Sequence, residues 1–123
     1  MDRAQIAKKE ILDMGLDDYT GLYEILWRFN TLWPEMDIGE KYQLADEALR
    51  GLLDQEAVRI IKQTSDQDQP HYEAIDQTQM DQILRSPASW YSSTSDGLWS
   101  QLGYETTDVG EVLHNDFYSR RGA

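Results

Sequence analysis

Two histidines, His71 and His114, are the chain's only imidazoles, and it has no cysteine. Glu111 stands three residues before His114, close enough to share a helix face, and Asp116 is nearby. One imidazole and one helical carboxylate are too few for a metal centre, which takes three or four protein ligands. His71, between Pro70 and Tyr72, has the setting of a loop side chain. Carboxylate pairs are plentiful: Asp17–Asp18, Asp46–Glu47 and Asp66–Asp68. A catalytic pair needs a cleft that drives the two pKa values apart, and with 23 acids in 123 residues adjacent, solvated carboxylates are the expectation. Ser86, Ser89, Ser92 and Ser93 cluster without a nucleophile-elbow motif around them. The glycines are scattered singly, so no phosphate-cradling loop is present, and the calcium-loop pattern of alternating acids is absent. These residues point away from an enzyme, and no metal or cofactor is expected.

The elements that carry these residues come from a chain with a net charge of −12, since only 11 Lys and Arg oppose the acids. Such a charge aids solubility, repels phosphate backbones and attracts basic protein surfaces. At 40% hydrophobic and 11% aromatic, the sequence can build a packed core, and its length suits one domain over residues 1–123. No apolar run is long enough to cross a membrane, and "MDRAQIAKKEILDMG" is too charged for a signal-peptide core, so a cytoplasmic location is the expectation. The absence of cysteine leaves the redox compartment open.

Ala4, Ala7, Ile11 and Met14 predict a first helix, capped by Asp2 and stopped by Gly15. Asp17 or Asp18 then caps a second, along which Tyr19, Leu22, Leu26 and Phe29 form a stripe flanked by Tyr23, Ile25 and Asn30; so broad an apolar surface predicts burial on more than one side. Pro34 ends it. Asp37 and Glu40 have capping-box spacing at the start of a third helix, whose inner face is Tyr42, Ala45, Ala48, Leu49, Leu52 and Leu53. Asp46, Glu47, Arg50 and Asp54 lie off that face. "AVRII" reads as a strand, "QTSDQDQPHYE" as a polar loop and Tyr72 to Ile75 as a return strand. A short helix "QMDQILR" capped by Asp76 or Thr78, an irregular "PASWYSSTSDG" and a last strand "LWSQLGYET" lead to a closing helix. Thr106, Thr107 or Asp108 caps that helix, and Val109, Val112, Leu113 and Phe117 form its inner face. The four tryptophans, Trp27, Trp33, Trp90 and Trp99, either plug gaps between helices or anchor an interface.

Two segments carry a resemblance. "ALRGLLDQEAVRI" is similar to the helix-turn-strand of winged-helix proteins, and "YETTDVGEVL", with Tyr104, Thr107 and Gly110, resembles their path from last strand to C-terminal helix. With "ILRSPASWY" and "LYEILWRFNTLWP", most of the chain is similar to small uncharacterised bacterial winged-helix-like proteins. The resemblance implies an α+β fold: a single winged-helix-like domain with helices, a small antiparallel β-hairpin wing and a C-terminal helix. It also implies DNA contact through basic positions on the third helix and the wing.

Those positions are acidic here. The third helix carries Glu40, Asp46, Glu47 and Asp54 against Lys41 and Arg50, and the wing carries Asp66 and Asp68 with Lys62 at its base. The expectation that follows is a stoichiometric module binding a basic protein, in its concrete form an immunity-type inhibitor of a basic bacterial toxin. Its surface would be Glu35, Asp37, Glu40, Asp46, Glu47 and Asp54, with Trp33 as aromatic anchor. One alternative is a winged-helix transcription regulator contacting DNA through Lys41, Arg50 and Lys62. A third is an acidic DNA mimic that blocks a nucleic-acid-binding protein.

Overall fold

The computed structural model describes residues 2–17, 19–66, 69–90 and 99–121. In chain order the elements are α1 (Arg3–Asp17), β1 (Thr20–Gly21), α2 (Leu22–Leu32), α3 (Ile38–Asp54), β2 (Val58–Asp66), β3 (Gln69–Ala74), α4 (Met80–Arg85), β4 (Trp99–Thr106) and α5 (Asp108–Arg121). Short 3-10 turns at Gln77–Gln79 and Pro87–Trp90 flank α4. The fold is α+β, with a helical layer packed on a four-stranded antiparallel sheet that contains a β-hairpin, and a C-terminal helix.

The sheet order is β1-β4-β2-β3. β2 is therefore paired on both sides, with Ile60 opposite Tyr104 of β4 and Lys62 opposite Glu73 of β3. That double pairing explains a correction. The polar stretch expected to be a loop is mostly strand: its first part extends β2, held by backbone hydrogen bonds to β4 and β3 after the apolar alternation ends, and its second part is the edge strand β3, held by β2 alone. Asp68 lies outside the described residues.

The core is built where the periodicities converge. Leu22, Ile25, Leu26 and Phe29 of α2 and Ala45, Ala48, Leu49 and Leu52 of α3 close on Ala7, Ile11 and Leu12 of α1, with Val58, Ile60 and Tyr104 supplied by the sheet. Ala4, expected inside, is exposed. α2, expected to be buried on more than one side, buries one face, Leu22, Ile25, Leu26 and Phe29, while Trp27 is 61% exposed with Tyr23 edge-on to it at 4.7 Å. Charged groups staple the helices. Glu10 meets Lys9 at 3.7 Å and Arg28 at 3.2 Å, and Lys41 donates to Asn30 Oδ1 at 2.8 Å.

Caps follow local chemistry. Asp2 and Gln5 cap α1 reciprocally, at 2.9 and 3.2 Å. Asp17 does not begin α2 but ends α1, and Asp18 lies outside the described residues; the cap of α2 is Gly21, whose N–H donates to Glu24 Oε2 at 2.6 Å, because β1 comes between the helices. Asp37 caps α3 by accepting from Gly39 N at 2.7 Å, and Asp76 accepts from Thr78 N at 3.1 Å. Gly15 does not stop α1. It lies within the helix because a Cβ there would come within 2.6 Å of Thr106 Oγ1 and 2.7 Å of the Tyr104 ring, so α1 can cross β4 closely only at glycine.

The Tyr-Thr-Thr-Gly segment is a clamp. Tyr104 Oη donates to Ile11 O at 2.6 Å and Thr106 Oγ1 to Leu12 O at 2.8 Å, fixing β4 to α1. Thr107 Oγ1 donates to Glu56 O at 2.7 Å and accepts from Gly110 N at 3.1 Å, which caps α5 and ties it to the turn after α3. Gly110 brings α5 against the Ala57 carbonyl. This contact rotates the helix away from the expected inner face. Gly110 and His114 are buried with Leu113 and Phe117 against the core, while Val109 and Val112 are 48% and 69% exposed.

Candidate functional site

Asp37 starts α3 and its apolar stripe pins one side to the core, so the opposite side faces outward for the helix's whole length. Glu40, Glu47 and Asp54 recur every seventh residue, near two full turns, and all three are exposed. Glu47 accepts from Gln43 Nε2 at 3.1 Å. Among the described residues, neither Glu40 nor Asp54 meets a cation. Glu35, in the turn before the helix, is exposed and 3.8 Å from Arg3, and Asp37 is spent partly on the cap.

Asp46 is set apart from this stripe. It is half-buried and accepts from Arg50 Nε at 3.0 Å, while Arg50 Nη1 donates to Asp81 of α4 at 2.7 Å. The Asp46–Arg50–Asp81 chain thus holds α4 beside α3. The hydrogen bond from Arg50, with the charge of Arg85 adding to it, holds the Asp81 carboxyl below the usual aspartate range. A carboxyl depressed in the folded state adds stability above its unfolded pKa and loses it as pH falls through the folded value. By NMR, Asp81 should therefore titrate below an ordinary aspartate, and Arg50→Gln should move its midpoint up into the ordinary range.

The expected DNA-contacting cations are placed differently from one another. Lys41 is 6% exposed, and its ammonium is turned to Asn30 rather than outward. Arg50 is held between two carboxylates. Lys62 is exposed on β2, opposite Glu73 and Leu102 in register. Trp33 is half-buried, edge-on to Phe29 at 5.1 Å with the Arg3 guanidinium 5.9 Å from its ring centroid, and its backbone closes the end of α2. Trp90 is a core plug whose indole N–H donates to Leu84 O at 3.1 Å.

Two clefts flank α4. One of about 400 Å3 lies by Tyr42, Asp46 and Trp90. The other, of about 610 Å3, lies between the end of α3, β2 and the start of α4, and brings Asp54, Glu56 and Asp81 around Leu53, Ile75 and Met80. Glu56, Asp81 and Met80 were not legible as site residues. Asp81 reaches Arg50 across 31 positions, which no local spacing reveals. Glu56 had one available signal: the turn from α3 into β2 has no glycine, and Glu56 takes a positive φ of 60° there. A third cleft, of about 630 Å3, opens on the outer sheet face beside Tyr19, which meets Tyr72 edge-on at 5.8 Å.

His114, considered with Glu111 as a metal pair, instead meets Asp13 Oδ1 of α1 through Nε2 at 3.0 Å. Among the described residues no three His, Asp or Glu side chains are placed to hold a metal ion, and no helix is long and apolar enough to cross a membrane. Ser89 Oγ is used in a turn, donating to Ile83 O at 2.6 Å, and Ser92 and Ser93 lie outside the described residues.

No family model, curated protein or solved structure matches the chain. The surface is characterised by its own residues alone: an outward acidic stripe on α3, continuous through Asp54 with a cleft that has an aliphatic floor.

Proposed function

We propose that this protein is a stoichiometric binding module for a basic protein partner, acting as an immunity-type inhibitor of a basic bacterial toxin such as a nuclease. The observation that carries this reading is the outer side of α3. Its stripe carboxylates Glu40, Glu47 and Asp54 are exposed, while of its cations Lys41 is buried on Asn30 and Arg50 is engaged by the chain's own Asp46 and Asp81. A negative stripe on a rigid helix can occupy a groove shaped for phosphates, and the opposite charges would speed encounter. Asp46 is better described as a strut for α4 than as part of this surface.

The test is capture from bacterial lysate at low and moderate salt with the native chain and with a Glu40→Lys, Glu47→Lys, Asp54→Lys variant, identifying retained proteins and nucleic acids. One basic protein should be retained in stoichiometric amount by the native chain and lost, by at least tenfold, with the variant. Retention of a specific DNA without such a protein would replace this reading with the transcription regulator. A retained nucleic-acid-binding protein of the cell's own would point instead to the DNA mimic.

A further inference from the structure

The cleft of about 610 Å3 at the end of α3 has a chemistry of its own. Its floor is aliphatic, with Val58, Ile60 and Leu84 buried and Leu53, Ile75 and Met80 half-buried, so hydrocarbon remains in contact with water. Its rim carries Asp54, Glu56 and Asp81. The two cations that border it are already engaged, Arg50 by Asp46 and Asp81 and Arg59 by Glu105. Among the described residues the Asp54 and Glu56 carboxylates meet no cation. An aliphatic floor beneath uncompensated carboxylates suits a segment that offers both hydrocarbon and positive charge.

We propose that this groove docks an extended segment of the basic partner, with an aliphatic side chain on Leu53, Ile75 and Met80 and a neighbouring lysine or arginine at Asp54 and Glu56. The proposal rests on the binding-module reading and adds where on the partner-facing side the contact is made and what sequence chemistry it selects. Charge complementarity chooses this occupant: an acidic segment would be repelled by the rim, and a purely apolar one would leave the carboxylates unanswered. Asp54 belongs both to the groove and to the α3 stripe, so one partner can cover the two together.

The probe is a synthetic peptide alternating arginine with leucine, titrated at low salt into the isotope-labelled full chain and followed by backbone amide NMR. A glutamate-for-arginine peptide is the control. Shifts should concentrate at Asp54, Glu56, Ile75 and Met80, and the control should produce none. Glu56→Gly separates binding from folding. It removes a rim carboxylate and also relieves a left-handed backbone that is unfavourable for a non-glycine residue. It should raise the unfolding midpoint while weakening the peptide about threefold, the worth of one exposed ion pair. Glu40→Lys with Glu47→Lys should leave groove shifts in place, so that loss of the stripe and loss of the groove are read separately. Shifts spread along Glu40 and Glu47 and indifferent to Glu56→Gly would overturn the groove and leave the α3 reading standing. No response to the arginine peptide, or an equal response to the glutamate peptide, would also overturn it.

Discussion

Replacing Gly110 by alanine should destabilise the protein by about 3 kcal/mol, although alanine is the better helix former by about 1 kcal/mol. Gly110 lies in the first turn of α5, where a Cβ would overlap the Ala57 carbonyl oxygen and come within 2.6 Å of Thr106 Cγ2. The first obstacle is backbone, held by Thr107 N donating to Ala57 O at 3.0 Å, so it cannot move aside as a flexible side chain would. Relief requires α5 to lift, which would break the Thr107 contacts to the α3–β2 turn and the Asp13–His114 contact to α1. The thermal midpoint should fall by roughly 10 °C for a domain of this size. Gly51→Ala is the matched control: within α3 a Cβ meets only the movable end of Lys8, at 3.1 Å, and the propensity gain should hold or slightly raise stability. Equal effects from the two substitutions would refute the close-approach argument.

Tyr104 should give the second large effect, divisible into two parts. The side chain is wholly buried, and its hydroxyl donates to Ile11 O at 2.6 Å, linking β4 to α1. Tyr104→Phe keeps the ring and should lose about 1–1.5 kcal/mol, the worth of one hydrogen bond plus an acceptor left short in the core. Tyr104→Ala also empties the volume and should lose about 4 kcal/mol, as aromatic truncations in cores do. Burial pushes the Tyr104 hydroxyl pKa well up, with the carboxylates Glu24, Asp13 and Glu10 adding to it. Its contribution to stability is therefore fully present below the unfolded tyrosine pKa, near 10, and is lost as pH rises toward the folded value. Chemical denaturation between neutral and alkaline pH should show a steeper loss of stability for the native chain than for Tyr104→Phe. Parallel curves would show that the hydroxyl is not held as described.

Both effects fall on a segment whose pattern was visible from the start. Tyr104, Thr107 and Gly110 stand out by type and spacing, and what they do is mechanical: they tie the last strand and helix to α1 and to the turn after α3. Thr106 belongs to the same clamp, but its bond to Leu12 O spans 94 positions and leaves no mark in the local sequence.

The α3 stripe, the apolar first half of β2 and the strand β4 are legible because burial imposes a period on them. A helix pinned on one side must turn its other residues outward, and a strand with a core face alternates. Hence Ala45, Ala48, Leu49 and Leu52 against Glu40, Glu47 and Asp54 could be assigned without coordinates. Charge is equally readable as a sum, since −12 does not depend on the fold.

What the sequence alone could not determine is the use made of each charge. Lys41 and Arg50 share a helix with the acids, yet one is buried on Asn30 and the other is clasped by Asp46 and Asp81. Asp46 stands one turn before Arg50 on α3 itself, but Asn30 comes from α2 and Asp81 from α4, and only tertiary packing brings those two near. The same holds for α5, where a single glycine contact outweighed the apolar pattern and left Val109 and Val112 outside. It holds too for the groove beside α4, assembled from Asp54, Glu56, Ile75 and Met80. Sequence determined which faces are acidic and which are apolar, because composition and period are local. Tertiary structure decided which carboxylates remain unanswered at the surface, because beyond the helical pairs one turn apart a charge is answered only when a neighbour distant in the chain, as Asp81 is to Arg50, arrives within about 4 Å.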